Sequence, residues 1–381
     1  MTKATTMNEA HTVARPRTLA TLFVATVLFA ASLPAFHQQT FGTRISDIPA
    51  HFLIDTSGLY PVYSILYLLV HGLLLIGANE EVLGWIAIIL LSTCVALKGV
   101  LTFRVLSEES KGLALPACIA AVLAFVMPII NWWNYQSVYL GQIAPTVWHN
   151  ATTILVMPVV VLLFRASLRC LEEPNRKNAV LTAGLGMLSA LIKPSYAIAW
   201  LPVFIPWFCL RAYLGNGTSL QQLAKQVAIL VGPMTILLFV QGLLIKNNMN
   251  TSVIFSPFGV WSLYSPHLAF SSLLSLAFPL AVLILYRDCF CRDAGLLFAS
   301  LVFAVALLQL ILLAEGGVRF SHGNFFWGAY MALYTLFLSS AHLLLRQPAS
   351  SRSLTAFAFL ALHFASGLYF YWRIVSGLGY M

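Results

Sequence analysis

The chain alternates long apolar runs with short polar breaks. Runs near residues 18–36, 82–104, 113–131, 151–168, 178–193, 195–211, 226–245, 268–286, 294–314, 325–345 and 354–376 are each roughly 20 residues, the length that carries a helix across about 30 Å of hydrocarbon. They predict eleven spans. A twelfth run, from Tyr60 to Gly77, is apolar enough to cross but carries His71, and only Ala78-Asn79-Glu80-Glu81 divides it from the next run.

Charge decides how that run is used, because Lys and Arg collect in the cytoplasmic loops of membrane proteins. With the N-terminus (Lys3, Arg15, Arg17) cytoplasmic and all twelve runs crossing, about 7 of the 21 Lys and Arg fall inside and about 14 outside. If residues 60–77 lie in the outer leaflet without crossing, only Arg44, Lys193, Lys246, Arg319 and Arg373 are outside, and the other 16 of the 21 are inside. The expectation is therefore an all-α, polytopic transmembrane helical bundle of about eleven spans plus an outer interfacial helix. Residues 1–17 form a cytoplasmic N-terminal tail and 18–381 a single integral-membrane domain. The basic stretch before the first run has the shape of a signal peptide, yet with ten spans behind it an uncleaved first helix is the better reading. Short loops and a chain end without a retrieval signal favour a bacterial inner (plasma) membrane over the endoplasmic reticulum.

Composition agrees. The sequence is 60% hydrophobic and 9% charged, more apolar side chain than a soluble domain can bury. A soluble nucleic-acid-binding module is excluded despite the formal net charge of +9. The six cysteines lie in apolar runs or beside basic loops and imply no disulfide framework. Cys289-Phe290-Cys291 has no further His or Cys nearby to complete a zinc site, and no metal ligand set is read from the sequence.

The outer segments collect the polar chemistry, which points to a site fed from the outer leaflet rather than to a path through the spans. Asp47, two residues before Pro49, reads either as the N-cap of a short interfacial helix or as a proton acceptor, with His51 on the same face at i, i+4 spacing. Glu80 and Glu81 suit the N-terminus of the following helix, or an acceptor contact. Lys193, between Ile192 and Pro194, is costly in an apolar stretch unless it snorkels or meets an anion such as a phosphate. Arg319 can grip a phosphate bidentately, with His322 beside it, or pair with Glu315 four residues earlier. Gln142, His149 and Asn324 are candidates for contacts to sugar hydroxyls. Trp132, Trp133, Tyr135, Tyr139 and Trp148 read as an interfacial belt or as sugar-stacking rings.

The order of parts over most of the first 210 residues resembles the GT-C superfamily of integral-membrane glycosyltransferases. A first span ends in an outer loop with an acid, Asp47, and an interfacial segment with an early proline follows (Tyr60-Pro61-Val62-Tyr63). Then come a span ending in Lys98 and Arg104 and a Gly-rich run, from Gly184, that closes on Lys193-Pro194. The resemblance implies a polyprenyl-phosphate-linked sugar donor, a glycan, lipid or protein acceptor, a lipid bilayer as surroundings, and transfer on the extracytoplasmic face as in cell-envelope glycan assembly. It makes Asp47 the general base and Lys193 a phosphate ligand; the residues themselves add His51 to orient the base and Arg319 as a second phosphate ligand. It implies inversion, with retention left open. No cofactor follows beyond a divalent metal, whose paired-acid signature Asp-x-Asp is missing around Asp47, where Ser46, Ile48 and Pro49 stand.

Other readings predict different features. A glycan polymerase or ligase calls for a large Arg-rich outer loop, whereas residues 37–81 carry only Arg44. A membrane acyltransferase would use His51 or His322 as base. A lipid-linked glycan flippase or transporter calls for charges along the spans, where Lys98, near a cytoplasmic end, is the main candidate.

Overall fold

The computed structural model describes residues 2–42, 46–52, 64–110, 112–131, 133, 138–216, 219–249 and 252–378. In chain order its elements are α1 (Thr2–Phe41), α2 (Asp47–Phe52), α3 (Ile65–Leu75), α4 (Glu80–Leu106), α5 (Ala114–Phe125), α6 (Val138–Gly141), α7 (Ala151–Glu172), α8 (Arg176–Ile192), α9 (Ser195–Asn216) and α10 (Leu220–Met249). There follow β1 (Val253–Phe255), α11 (Trp261–Tyr264), α12 (Leu268–Leu285), α13 (Arg287–Phe290), α14 (Ala294–Leu312), β2 (Leu313–Glu315), a 3-10 turn (Gly317–His322), α15 (Phe326–Leu345) and α16 (Ser351–Val375). The two short strands pair antiparallel, with Val253 opposite Glu315.

Among the described residues nine helices are long and apolar enough to cross a membrane: α1, α4, α7, α9, α10, α12, α14, α15 and α16. The protein is a multi-pass, all-α membrane bundle. Two of the eleven expected spans are shorter helices. Helix α5 stops after 12 residues as Val126 turns extended (ψ 133°), and Pro128 two residues on cannot resume the helix. Lys193 precedes Pro194, is extended (φ −157°, ψ 116°), and ends α8 after 17 residues, about 25 Å. Helix α3 has 11 residues, about 16 Å, well short of a hydrocarbon core. The Tyr60-Pro61-Val62-Tyr63 segment ahead of it, with Arg44, Trp132 and Tyr135, lies outside the described residues.

The segment after α5 departs most from expectation. Rather than leaving the bundle as an outer loop, residues 138–150 fold back into it, nearly all of them buried. Non-helical backbone at membrane depth must find its hydrogen bonds within the protein. Here side chains from neighbouring helices supply them. His363, midway along α16, donates from Nδ1 to the Met127 carbonyl at 2.7 Å and accepts the Phe278 N–H on Nε2 at 3.3 Å. Ser366 donates to the Pro128 carbonyl at 2.5 Å, the Gln142 amide to Ile129 at 3.0 Å, and the Ser275 hydroxyl accepts the Ile143 N–H at 2.9 Å.

Ion pairs gather the other helix ends at one end of the bundle. Glu108, just past α4, meets Arg165 and Arg169 of α7, and Arg346, just past α15, meets Glu109 and Asp293. Arg17 donates to the Ser107 carbonyl at 3.0 Å. Such half-exposed pairs contribute little stability individually, about 0–1 kcal/mol each, so packing must hold the helices. Apolar burial from water does not drive helix association inside a bilayer, where close contact does. Helix α15 is the centre of that contact, with 89% of its most apolar stretch buried, whereas α10, at 22%, offers its sides to lipid.

Gly367 marks the tightest approach. A Cβ there would lie 1.7 Å from the Phe125 carbonyl oxygen, a backbone atom that cannot rotate away. Gly367→Ala is expected to cost about 1–3 kcal/mol or more, since α16 must move off the end of α5. Thermal unfolding of the purified protein would register it as a lowered midpoint, and an unchanged midpoint would contradict this packing.

Candidate active site

At the opposite end of the bundle, α2, α3, the turn into α7 and the break between α8 and α9 meet. Asn150 joins them. It caps α7, its Oδ1 accepting from the Thr153 N–H at 3.1 Å and hydroxyl at 2.8 Å, and the same oxygen accepts from Lys193 Nζ at 3.0 Å. With the oxygen so committed, the amide nitrogen faces His51 and donates to Nε2 at 3.3 Å. The His51 proton is then on Nδ1, which donates to the Tyr67 hydroxyl of α3 at 2.6 Å.

Lys193 has a second acceptor in the Thr152 hydroxyl, at 3.1 Å, and its Nζ rests 4.5 Å from the Trp327 ring centroid. Burial pushes its amine down from 10.5 to about 7, against an opposing pull from Asp47. His51 and His149 are each pushed down to about 3, by burial first and by the Lys193 charge second. Both imidazoles are therefore neutral near pH 7.

Asp47 opens α2, and the residues around it are bracketed by Gln39, two residues before the end of α1. The Ser46 hydroxyl donates to Gln39 Oε1 at 3.3 Å while Gln39 Nε2 donates to the Trp148 carbonyl at 2.7 Å. This brings Asp47 Oδ2 within 3.9 Å of His149 Nε2. The carboxylate is 40% exposed and the imidazole 5%, so the acid is reachable from outside and His149 lies buried behind it. His149 packs in turn on Tyr139 and Trp327, with ring centroids 4.2 and 5.6 Å away.

No known family model and no curated protein matches this sequence. The site must be read from its own groups. An open carboxylate beside a neutral imidazole can take a proton. An ammonium held by neutral oxygens and a ring, with two of its three N–H donors used, can hold an anion.

Of the residues singled out from sequence, Asp47, His51, His149 and Lys193 converge here. Asn324 is one step removed, donating to Glu315 Oε2 at 2.6 Å and accepting from Trp327 Nε1 at 3.4 Å, and so holds the ring that faces Lys193. Arg319 is ion-paired with Glu315, Nε to Oε2 2.6 Å, so its charge is already compensated. His322 stands exposed on the 3-10 turn, Glu80 and Glu81 are exposed in the first turn of α4, and Gln142 is fully buried on Ile129. Among the described residues no cluster of three His, Cys, Asp or Glu is arranged to hold a metal ion.

Sequence reasoning missed Asn150, Thr152, Tyr67 and Trp327. Asn150 carried a usable signal, since Asn ahead of Ala151-Thr152-Thr153 and an apolar run is an N-cap pattern. Tyr67 and Trp327 sit in apolar runs and look like any interfacial ring.

Proposed function

We propose that this protein is a GT-C-like membrane glycosyltransferase, taking a sugar from a polyprenyl-phosphate carrier and passing it to an acceptor hydroxyl. The observation that carries this reading is the convergence of the Asp47 carboxylate, neutral His149 and the Lys193 ammonium in one cluster. In the reaction the acceptor O–H gives its proton to Asp47 as its oxygen forms the new bond to the anomeric carbon. The bond from that carbon to the phosphate oxygen breaks, and polyprenyl phosphate leaves with the electron pair. The charge that grows on the phosphate faces Lys193, whose partners hold it ready before the reaction begins. In partly dry surroundings such a preset cation is worth more than the same charge in water.

The charge count supports the extracytoplasmic face for the site and a cytoplasmic N-terminus, since 16 of the 21 Lys and Arg fall on the other side. Short loops favour a bacterial inner membrane. Helix α3, too short to span and bearing the site residue Tyr67, suits a carrier lipid that enters from the outer leaflet.

The test uses purified full-length protein in liposomes with radiolabelled sugars on short polyprenyl phosphates, with and without sugar-alcohol acceptors. Release of free polyprenyl phosphate above that from empty liposomes is the expected result. No release and no transfer from any carrier-linked sugar would refute the proposal.

A further inference from the structure

At the end of the bundle that holds the candidate active site, β1, α11, β2 and the 3-10 turn form a small module. It is fastened inward. Buried Trp261 donates from Nε1 to the Gly141 carbonyl at 3.1 Å, and the Tyr264 hydroxyl donates to the Ser321 carbonyl at 2.7 Å. Glu315, the last residue of β2, accepts from Asn324, which holds the Trp327 ring.

The outward side has the wrong chemistry for water. An antiparallel sheet with one wet face alternates apolar side chains inward with polar ones outward. Here Ala314 is buried on the inner face, while Val253 and Phe255 stand exposed on the other, Phe255 at 72%. Val318 on the 3-10 turn is 91% exposed, and Phe258 and Leu263 are exposed as well. Residues 252–266 carry no Asp, Glu, Lys or Arg, and the Glu315 carboxylate is turned to Arg319 and Asn324.

Phe258 adds a second sign. Its backbone is left-handed (φ 57°), a costly conformation for a bulky residue, held by its N–H on the Ile311 carbonyl at 2.6 Å. The strain does not bury the ring, which points out of the protein.

The adjoining surface identifies what covers this patch. Leu312 of α14 runs straight into Leu313 of β2, and the patch continues the apolar sides that α10 and α14 offer to lipid, among them Ile236, Phe239 and Leu308. Lys246, exposed two residues past the spanning stretch Leu220–Leu244 of α10, marks the headgroup level close by. With only two strands in the sheet, the outer-edge backbone groups of β1 need water or headgroups and would be costly in hydrocarbon. The depth that suits both backbone and side chains is the boundary between headgroups and acyl chains.

We propose that this module is a lipid seat, in which Val253, Phe255, Phe258, Leu263 and Val318 insert into the adjoining leaflet and pack on phospholipid acyl chains just below the headgroups. Through Glu315 and Asn324 the seat also supports the ring that faces Lys193.

Hydroxyl-radical footprinting of the full-length wild-type protein in phosphatidylethanolamine–phosphatidylglycerol nanodiscs compares Phe255 and Phe258 with His322, exposed on the 3-10 turn. After correction for intrinsic reactivity, the two phenylalanines are expected to oxidise about tenfold more slowly than His322, because burying one phenyl ring favours lipid over water by at least that ratio. Full-length protein carrying p-benzoylphenylalanine at position 255 or 318, irradiated in the same nanodiscs, is expected to gain the mass of one phospholipid. Neither readout uses sugar transfer, so the seat and the proposed reaction stand or fall separately. Oxidation of Phe255 and Phe258 as fast as His322, or crosslinks from both positions to protein in place of lipid, would overturn the assignment.

Discussion

Replacing Asp47 by Asn is expected to lower sugar transfer by about 10²- to 10⁴-fold, the usual contribution of a general base. The substitution isolates chemistry from architecture. Ser46, ahead of α2, accepts the Ile48 N–H at 3.3 Å, and neither this contact nor the Ser46–Gln39–Trp148 bracket involves the carboxylate, so α2 should keep its position. The His149 imidazole 3.9 Å from the carboxylate is neutral, so that contact is not a salt bridge whose loss would unfold the site. Measured well below pH 7, where Lys193 stays charged even without the pull of Asp47, the loss should appear in kcat with donor KM changed little, because the proton leaves the acceptor only in the transition state. Circular dichroism and melting should match wild type. Undiminished kcat in Asp47→Asn would remove the proposed base.

Lys193→Met is expected to raise donor KM about 10- to 100-fold, the value of a charged hydrogen bond, and to lower kcat as well, because the phosphate gains charge as it leaves. The lysine also sets a pH dependence. Burial lowers its folded value to about 7, so the free enzyme carries the cation below that pH and loses it above. The ionisable groups facing it are Asp47, His51 and His149, and the two imidazoles are already neutral down to about pH 3. From Lys193, kcat/KM for the donor should be level below about pH 7 and decline above it. In the complex a bound phosphate favours the charged amine, so the decline in kcat should begin at higher pH. Lys193→Arg, which stays charged throughout, should abolish the decline even where its larger fork lowers the rate. A basic limb unchanged in Lys193→Arg would show that another group sets it.

The helical membrane class was legible in the sequence because it rests on composition and run length, which no tertiary contact can reverse. Nine of the long apolar runs are helices of spanning length. Lys193 was legible for a related reason: a charge between Ile192 and Pro194 has few places to go. The segment 138–150 was not legible. Its Gln142, Trp148 and His149 have the polar and aromatic character of an outer loop, and side chains more than a hundred residues away, Ser275 on the Ile143 N–H, Trp261 on the Gly141 carbonyl and Tyr330 on the Tyr139 carbonyl, make it tolerable inside. The pairing of Arg319 was one of two open readings from its spacing to Glu315, and its side-chain geometry decided it.

The sequence by itself determined that the chain crosses a membrane many times and which few charges stand among apolar neighbours. These are local properties, fixed by the cost of polar groups in hydrocarbon. The tertiary structure decided which imidazole faces Asp47, that Asn150 ties Lys193 to His51, and that Lys98 is buried with no counter-charge among the described residues. Those outcomes depend on how helices far apart in sequence pack against one another, and apolar periodicity is silent about which faces will meet.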